Sequence, residues 1–170
     1  MTHWSFVREI QPGAYVIDDY DFENPSNELK VQHKIQRQFE RADYEVYDYP
    51  GEYVKVPDGE QYVRTRLEEL HAGFELAHGS TNARGFTVGH LFELTGQSRP
   101  DQDREYLIVQ TRHELQFSEY EGMEGKGASY SCDFTVLCSK EPFRAATVTP
   151  KPIVQGPQTA VVVGPKGDEI

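Results

Sequence analysis

The chain has 170 residues, which is enough for one domain with a buried core and too few for two domains of full size. Hydrophobic residues make up 37% and aromatic residues 12%, so the composition excludes a disordered chain and favours a β-rich fold. The formal charge of −11 would repel a phosphate backbone, and it therefore excludes nucleic acid as an expected partner.

The amino-terminal third of the sequence predicts short strands. Residues 4–10 and 14–19 are β-prone runs on either side of Pro12-Gly13, a turn signal that predicts a hairpin between them. Residues 29–39 fit a weak helix as well as a strand, and we leave this segment unassigned. Residues 44–49 alternate as a strand does, and the following Pro-Gly pair ends the pattern.

An acidic segment overlaps the end of the second run. Asp18, Asp19, Asp21 and Glu23 crowd together, and clustered oxygen ligands suit a hard cation such as calcium. The segment lacks the glycine and the distal carboxylate of a calcium loop, because it runs into Asn24-Pro25 instead. A solvated strand edge or a turn is the favoured interpretation.

Residues 58–77 carry the clearest helical pattern. Apolar side chains recur every three or four residues and form one stripe, which consists of Val63, Leu67, Leu70, Phe74 and Ala77. Asp58 is the predicted N-cap with Gln61 as its reciprocal partner, and Gly79 after His78 is the predicted stop. We expect the stripe to pack on a sheet that contains Leu107 and Val109.

Residues 79–117 predict a glycine-rich loop, a strand, a turn at Pro100 and a long strand that pairs antiparallel with the first one. Alternation in the long strand places one set of side chains on an apolar face: Leu107, Val109, Thr111, His113, Leu115 and Phe117. The other face carries Tyr106, Ile108, Gln110, Arg112 and Glu114. Because a pair of strands is marginal alone, the rest of the chain has to cover the apolar face.

The segment after Phe117 predicts a turn and one more strand. Lys126 lies between glycines, but residues 122–127 lack the serine or threonine of a phosphate-binding loop and predict a flexible turn. Residues 130–137 alternate as a further strand of the same sheet. One face of this strand carries Tyr130, Cys132, Phe134 and Val136.

The carboxyl-terminal segment changes in character after Glu141. Prolines at positions 142, 150, 152, 157 and 165 exclude a helix and predict an extended linker. Residues 159–163 predict a strand, 164–167 a turn and 168–170 the start of a returning strand. We therefore expect residues 1–148 to form one domain and residues 149–170 to hold a linker and the first strand of a second, truncated domain.

No constellation of residues in the sequence predicts catalysis, cofactor binding or a metal site. The histidines are His3, His33, His71, His78, His90 and His113; His71 and His78 fall seven apart on the predicted helix, and His90 and His113 fall on neighbouring strands. No cysteine or carboxylate stands at zinc-ligand spacing near them. Cys132 and Cys138 lie about 20 Å apart along one strand, which excludes a disulfide within it and predicts buried thiols.

Ser80, Ser98 and Ser129 lack a nucleophile elbow, so no serine hydrolase is indicated. A pair of carboxylates such as Glu68-Glu69 keeps a cell-wall hydrolase open as an alternative, because the separation of such a pair in space does not follow from sequence. No run of 18 apolar residues and no leader-like amino end is present. We expect no membrane anchoring and a cytoplasmic location at synthesis.

A set of motifs extends over nearly the whole chain: Asp19-Tyr20-Asp21-Phe22 with Pro25; Tyr47-Asp48-Tyr49-Pro50-Gly51; Gly79-Ser80-Thr81-Asn82-Ala83-Arg84-Gly85; Gly89-x-x-Phe92-x-Leu94; Glu105-Tyr106-Leu107 with His113; Thr149-Pro150-Lys151-Pro152-Ile153; and Gly156-Pro157-Gln158-Thr159-Ala160-Val161-Val162-Val163-Gly164-Pro165. Together they resemble VgrG, the trimeric spike family of bacterial type VI secretion. The sequence departs from that family at Gln97-Ser98-Arg99-Pro100, where His-Pro-Arg is usual, and at Gln102-Asp103, where Leu-Asn is common.

The resemblance implies a β-rich α+β fold, with an antiparallel barrel or sheet of the phage tail hub type and one main amphipathic helix. It assigns residues 1–148 to the second-barrel half of the hub-like base. Residues 149–170 would be the linker and the first strand of a truncated OB-type barrel.

The function implied by the resemblance is structural and needs no enzyme activity or cofactor. The implied partners are two further copies in a homotrimer, the hexameric Hcp tube, and baseplate and effector proteins. The protein would assemble in the cytoplasm and then be translocated into a target cell during contractile puncturing and effector delivery. A phage tail baseplate hub is the alternative within the same mechanism, and the cell-wall hydrolase is the alternative of another class.

Overall fold

The computed structural model describes residues 1–40, 42–117, 128–150, 152–159 and 164. In chain order the elements are β1 His3–Arg8, β2 Ala14–Ile17, β3 Val31–Lys34, β4 Glu45–Asp48, α1 Val56–Ala72, β5 Glu75–Thr81, β6 Leu91–Glu93, a 3₁₀ turn Pro100–Gln102, β7 Glu105–Gln116 and β8 Ser129–Cys138. An antiparallel half-barrel sheet has the strand order β1-β5-β8-β7-β6, and a small sheet has the order β3-β2-β4. The predicted β-rich α+β class is confirmed.

Aromatic rings fill the concave side of the large sheet. The buried core consists of Ala77, Leu94, Tyr106, Ile108, Phe134 and Val136, with Trp4, Phe6, Phe86 and Phe92 packed against it. Phe134 is central, because its ring centroid lies 4.6 Å from that of Phe86 and 5.9 Å from that of Phe92. Edge-to-face and tilted contacts of this kind add to the burial of apolar area.

Gly79 provides the space for the Phe134 ring. A Cβ atom at position 79 would lie 2.4 Å from Phe134 Cζ, closer than two carbon atoms can approach. We expect Gly79→Ala to lower the free energy of unfolding by about 1–3 kcal/mol, which urea denaturation would measure. Gly85→Ala is the matched control, because nothing lies within 4 Å of its Cβ position. Equal stability of the two variants would contradict the tight packing.

The long strand β7 pairs antiparallel with β6, as predicted, and with β8 of the same sheet on its other side, but a bulge changes which face of β7 is buried. The register shifts between Ile108 and Gln110, so Val109 stands outside the regular ladder. Tyr106 and Ile108 are 1% and 2% exposed and belong to the core, contrary to the prediction that Leu107 and Val109 carry the apolar face. A bulge adds one residue and therefore inverts the alternation on one side of it.

The helix starts earlier than predicted. Lys55 is the N-cap, without a side-chain hydrogen bond, and Asp58 lies within the first turn rather than at the cap. Pro57 explains the difference, because proline fits the first helical turn, where its missing N–H is no loss. Asp58 still suits the positive end of the helix dipole.

The helix also ends earlier, at Ala72 with Gly73 as the C-cap, so Gly79 is not its stop. Residues 75–81 form β5 instead, between β1 and β8. Their burial has a period of two, with Ala77, Gly79 and Thr81 inside. The helical spacing of Phe74 and Ala77 is therefore coincidental.

The helix packs on the small sheet, which contradicts the prediction that it covers Leu107 and Val109. Its contacts are with β2 and β3, and a second core unites Ile17, Leu29, Val31, Tyr53 and Val63. The Tyr53 hydroxyl lies 3.0 Å from the Ile17 carbonyl oxygen and 2.5 Å from that of Leu29. The Tyr53 hydroxyl therefore connects the end of β2 and the segment before β3 to the loop before the helix.

The predicted hairpin of β1 and β2 is wrong, since the two strands belong to different sheets. β1 pairs with β5, whereas β2 pairs antiparallel with β3 and parallel with β4. The turn at Pro12-Gly13 carries the chain from one sheet to the other. The predicted strand at 44–49 is confirmed as β4, and the unassigned segment 29–39 contains β3.

The free end of the β7–β8 hairpin extends beyond the rest of the sheet. β5 pairs with β8 only from Cys132 onwards, and β6 pairs with β7 only at residues 105–107. Residues 114–117 and 129–131, here called the ribbon, therefore have no third strand among the described residues. Leu115 is 58% exposed and Phe117 is 69% exposed.

Several expectations lie outside the described residues. They are the turn at 122–127, all of the predicted strand at 159–163 except Thr159, all of the turn at 164–167 except Gly164, and the returning strand at 168–170. In the described part of 139–159 the chain forms neither helix nor strand, as expected for a linker.

Candidate interaction surfaces

The segment after β8 crosses helix α1 and is held there by polar side chains. We call residues 141–147 the strap. Arg37 donates two hydrogen bonds to the Glu141 carboxylate, at 3.0 and 2.9 Å, and Arg144 Nε donates to Glu68 at 2.7 Å. Glu69 accepts the backbone N–H of Thr147 at 2.5 Å. The acidic pair that the sequence left open for a hydrolase therefore fixes the strap.

One end of the strap meets a buried histidine. His71 is 4% exposed; its Nε2 lies 2.8 Å from the Pro12 carbonyl oxygen, and its Nδ1 accepts a hydrogen bond from Arg37 Nε at 3.2 Å. This pattern requires neutral imidazole with the proton on Nε2. The Arg37 guanidinium also lies 4.4 Å from the centre of the Phe74 ring. The strap, the end of the helix and the loop after β3 thus meet at one arginine.

The buried histidine predicts a pH dependence of stability. Burial lowers the pKa of His71, and the Arg37 cation lowers it further. His71 is therefore protonated at a higher pH in the unfolded chain than in the folded chain. The free energy of unfolding falls as the pH drops below about 6.5. We expect the Tm to fall between pH about 7.5 and 5.5, and to fall less in His71→Gln, whose amide can keep both hydrogen bonds.

The exposed His3→Gln variant is the control for this measurement, and it should keep the wild-type slope. Hydrogen bonds from Arg37 lower the pKa of the Glu141 carboxyl. The stability that this carboxylate contributes is therefore lost only at a pH below the range of the measurement. An equal slope in wild type and His71→Gln would contradict the assignment.

A second surface combines acidic and aromatic side chains at the edge of the small sheet. Residues 18–23 and 44–52, here called the acidic tyrosine surface, lie side by side, because the Asp18 backbone N–H donates to Asp48 O at 3.2 Å. The Tyr47 hydroxyl donates to Asp18 at 3.3 Å. Tyr20, Phe22, Tyr47 and Tyr49 are all more than half exposed. Exposed aromatic rings beside carboxylates are typical of protein contact surfaces rather than of catalytic sites.

The acidic segment behaves as the predicted turn. Asp21 accepts the backbone N–H groups of Glu23 and Asn24 at 3.0 and 3.1 Å, and Asp19 accepts those of Glu52 and Tyr53. The carboxylates of Asp19 and Asp21 are therefore occupied by backbone donors. Within the described residues no group of three His, Cys, Asp or Glu side chains is placed to hold a metal ion.

The structure separates the histidines that the sequence placed together. His71 lies on α1, whereas His78 lies on β5, so the predicted placement of both on one helix is wrong. The His90 carbonyl oxygen accepts a hydrogen bond from the backbone N–H of Ile108 at 3.0 Å, five positions from His113 along β7. Cys132 is buried and Cys138 is half-buried, and neither forms a disulfide.

No helix in the described parts of the chain is long and apolar enough to cross a membrane.

Sequence reasoning missed the residues that hold the strap. Arg37 lies in a segment without a clear pattern, and its partners are 34 and 104 positions away in the chain. The one available signal was the run of prolines after Glu141. Because proline has no backbone N–H, this run indicates a segment that is held by side-chain contacts rather than by the hydrogen bonds of a sheet.

The sequence matches a known protein family and several known proteins. The model of the phage tail baseplate hub (GPD) family matches residues 1–119. The type VI secretion system spike proteins VgrG1b and VgrG1a of Pseudomonas aeruginosa are 48% and 46% identical to the chain over 168 residues, which is 98% of this chain. The actin cross-linking toxin VgrG1 of Vibrio cholerae is 30% identical over 96% of the chain. The chain spans 23%, 26% and 15% of the lengths of these three relatives.

The chain is a structural hub domain, and it belongs to the phage tail baseplate hub family. Its similarity over nearly its whole length to spike proteins of type VI secretion confirms the resemblance to VgrG.

Proposed function

We propose that the chain forms part of the base of a trimeric VgrG spike, which docks on the Hcp tube and carries the spike during contractile puncturing and effector delivery. The observation that supports this function most strongly is the 48% identity to a type VI secretion spike protein over 98% of the chain. Residues 1–148 would be the second-barrel half of the hub-like base. Residues 149–170 would be the linker and the first strand of an OB-type barrel.

The surfaces of the domain support an assembly role. The acidic tyrosine surface and the ribbon expose aromatic and aliphatic side chains that a solitary domain has no reason to present. The proposed partners are two further copies of the chain, the Hcp hexamer, and baseplate and effector proteins. The proposed role needs no catalytic residue, cofactor, nucleic acid or membrane anchor, and the assembled protein would leave the cytoplasm for the target cell.

Deletion of the gene in its natural host tests the function. We expect the release of Hcp into the medium to be lost and to return when the wild-type gene is supplied. The full-length gene product should run as a trimer in light scattering. Undiminished Hcp release from a host in which this is the sole spike gene would contradict the proposal.

A phage tail baseplate hub is the second candidate, because the family model that matches residues 1–119 is named for that structure. Location of the gene within a prophage, and presence of its product in purified phage particles, would favour this candidate. A cell-wall hydrolase would instead release soluble fragments from purified peptidoglycan.

A further inference from the structure

The strap is attached to helix α1 by polar side chains rather than by a buried apolar surface. Residues 142–147 are all exposed, and Phe143, the largest apolar side chain of the strap, is 46% exposed. Residues 141–147 are neither helix nor strand, so no sheet ladder holds them. The burial of apolar area that stabilises the two cores therefore contributes little to the attachment of the strap.

The outer part of the strap, residues 144–147, binds two neighbouring carboxylates of α1. Arg144 contacts Glu68 at 2.7 Å, and Thr147 donates its backbone N–H to Glu69. The side chains of Glu68 and Glu69 are 15% and 16% exposed, whereas that of Arg144 is 46% exposed. Ion pairs with a partner in solvent contribute little to stability and are weakened by salt. The outer part is therefore held weakly enough to detach and rebind.

The inner attachment, at Glu141, is of a different kind. Arg37 donates to both oxygens of the Glu141 carboxylate, and its guanidinium group lies over the Phe74 ring and against the buried His71. The Arg37 side chain is 20% exposed, so salt screens this pair less than it screens the outer contacts. The Glu141 backbone N–H also donates to the Cys138 carbonyl oxygen at 3.0 Å, which ties Glu141 to the end of β8.

A cleft beside the outer part gives it room to move. The cleft has a volume of about 670 Å³ and lies between the strap, α1 and the loop after β4. Arg144 and Thr147 line it on the strap side, Tyr62 and Thr65 on the helix side, and residues 50–52 on the loop side. The outer part can therefore leave the helix without displacing a side chain of either core.

We propose that the strap is a salt-sensitive latch that pivots at Glu141. In the attached state residues 144–147 lie on α1. In the detached state they leave the helix, while the contact between Arg37 and Glu141 and both sheets stay intact. The position of the chain after Val148 relative to the domain then depends on the state of the latch. This inference does not depend on the proposed function, because it concerns contacts within the domain.

Millisecond hydrogen–deuterium exchange of the full-length gene product, read by mass spectrometry, tests the latch. The Thr147 amide should exchange about threefold or more faster in about 1 M NaCl than in about 0.05 M NaCl at the same pH, because it loses its acceptor on Glu69. The Glu141 amide and the amides of β8 should keep their rates. Fragments that separate residue 147 from residue 141 measure the two ends of the strap independently.

A charge swap gives a second test that does not change the solvent. Arg144→Glu should raise the exchange rate of the Thr147 amide about threefold or more at low salt, because it places like charges together at Glu68. Adding Glu68→Arg to this variant should bring the rate back towards that of the wild type. Arg112→Glu is the matched control, since its ion pair with Glu114 lies on β7, and it should leave the rate at Thr147 unchanged.

Three outcomes would overturn the latch. The first is a Thr147 rate that neither salt nor Arg144→Glu changes. The second is no recovery of the rate in the double variant. The third is a rise in exchange that spreads equally to the amides of α1 and β8, because the strap would then open only when the domain unfolds.

Discussion

Phe134→Ala should lower the free energy of unfolding by about 3–5 kcal/mol, the range for an aromatic ring removed from a packed core. The side chain is 3% exposed and touches rings from three separate segments, at Trp4, Phe86 and Phe92. No single neighbour can move to fill the space, because the three rings come from β1, from the loop after β5 and from β6. Urea denaturation monitored by circular dichroism would measure the change, with an unaltered m-value if unfolding stays two-state.

Phe22→Ala is the matched control, since Phe22 is 79% exposed and its loss should change stability by no more than about 0.5 kcal/mol. A loss below about 1 kcal/mol for Phe134→Ala would show that the ring does not hold the large sheet together.

Leu67→Ala should lower the free energy of unfolding by about 2–5 kcal/mol. Leu67 is 0% exposed on the face of α1 that packs on the small sheet, where the helix supplies the cover that the sheet needs. Leu70→Ala, one turn further along the same predicted stripe but only half-buried, should have a clearly smaller effect. Equal losses at the two positions would mean that the helix is rotated relative to this structure.

The sequence predicts the positions of single helices and strands better than it predicts which of these elements pack or pair with each other. The positions of β4, β7 and β8 follow from alternation, and the existence of α1 follows from its apolar stripe. The partner sheet of the helix does not follow, because both sheets offer apolar faces and the choice depends on the whole packing. The wrong hairpin has the same origin, since the turn at Pro12-Gly13 is equally suited to a crossing between sheets.

Two errors came from breaks in periodicity. A bulge at Val109 inverts the pattern of β7, and a bulge leaves no compositional signal in a strand without glycine. Phe74 and Ala77 happen to continue the helical spacing of α1 past its true end. Pro57 was the better marker of the helix start, because its fixed φ and missing N–H suit the first turn of a helix.

The surfaces were partly accessible from sequence. The motif at residues 47–51 and the acidic segment at 18–23 both belong to the acidic tyrosine surface, although only the structure brings them together. The strap contacts join residues from distant parts of the chain, and no pattern within a short window can reveal such a set. The ribbon was visible only as an alternating strand, since exposure depends on where its neighbours end.

The strap gives the domain a defined path for tension. If the chain is pulled beyond Val148, the first contact to carry the pull is Thr147 with Glu69, followed by Arg144 with Glu68 and then Glu141 with Arg37. Two of these three attachments are on helix α1 and the third is on the loop beside its end, so the pull is spread over the helix before it reaches β8. The hydrogen-bonded ladder of the large sheet is then protected from being peeled one strand at a time, as long as the three side-chain attachments hold.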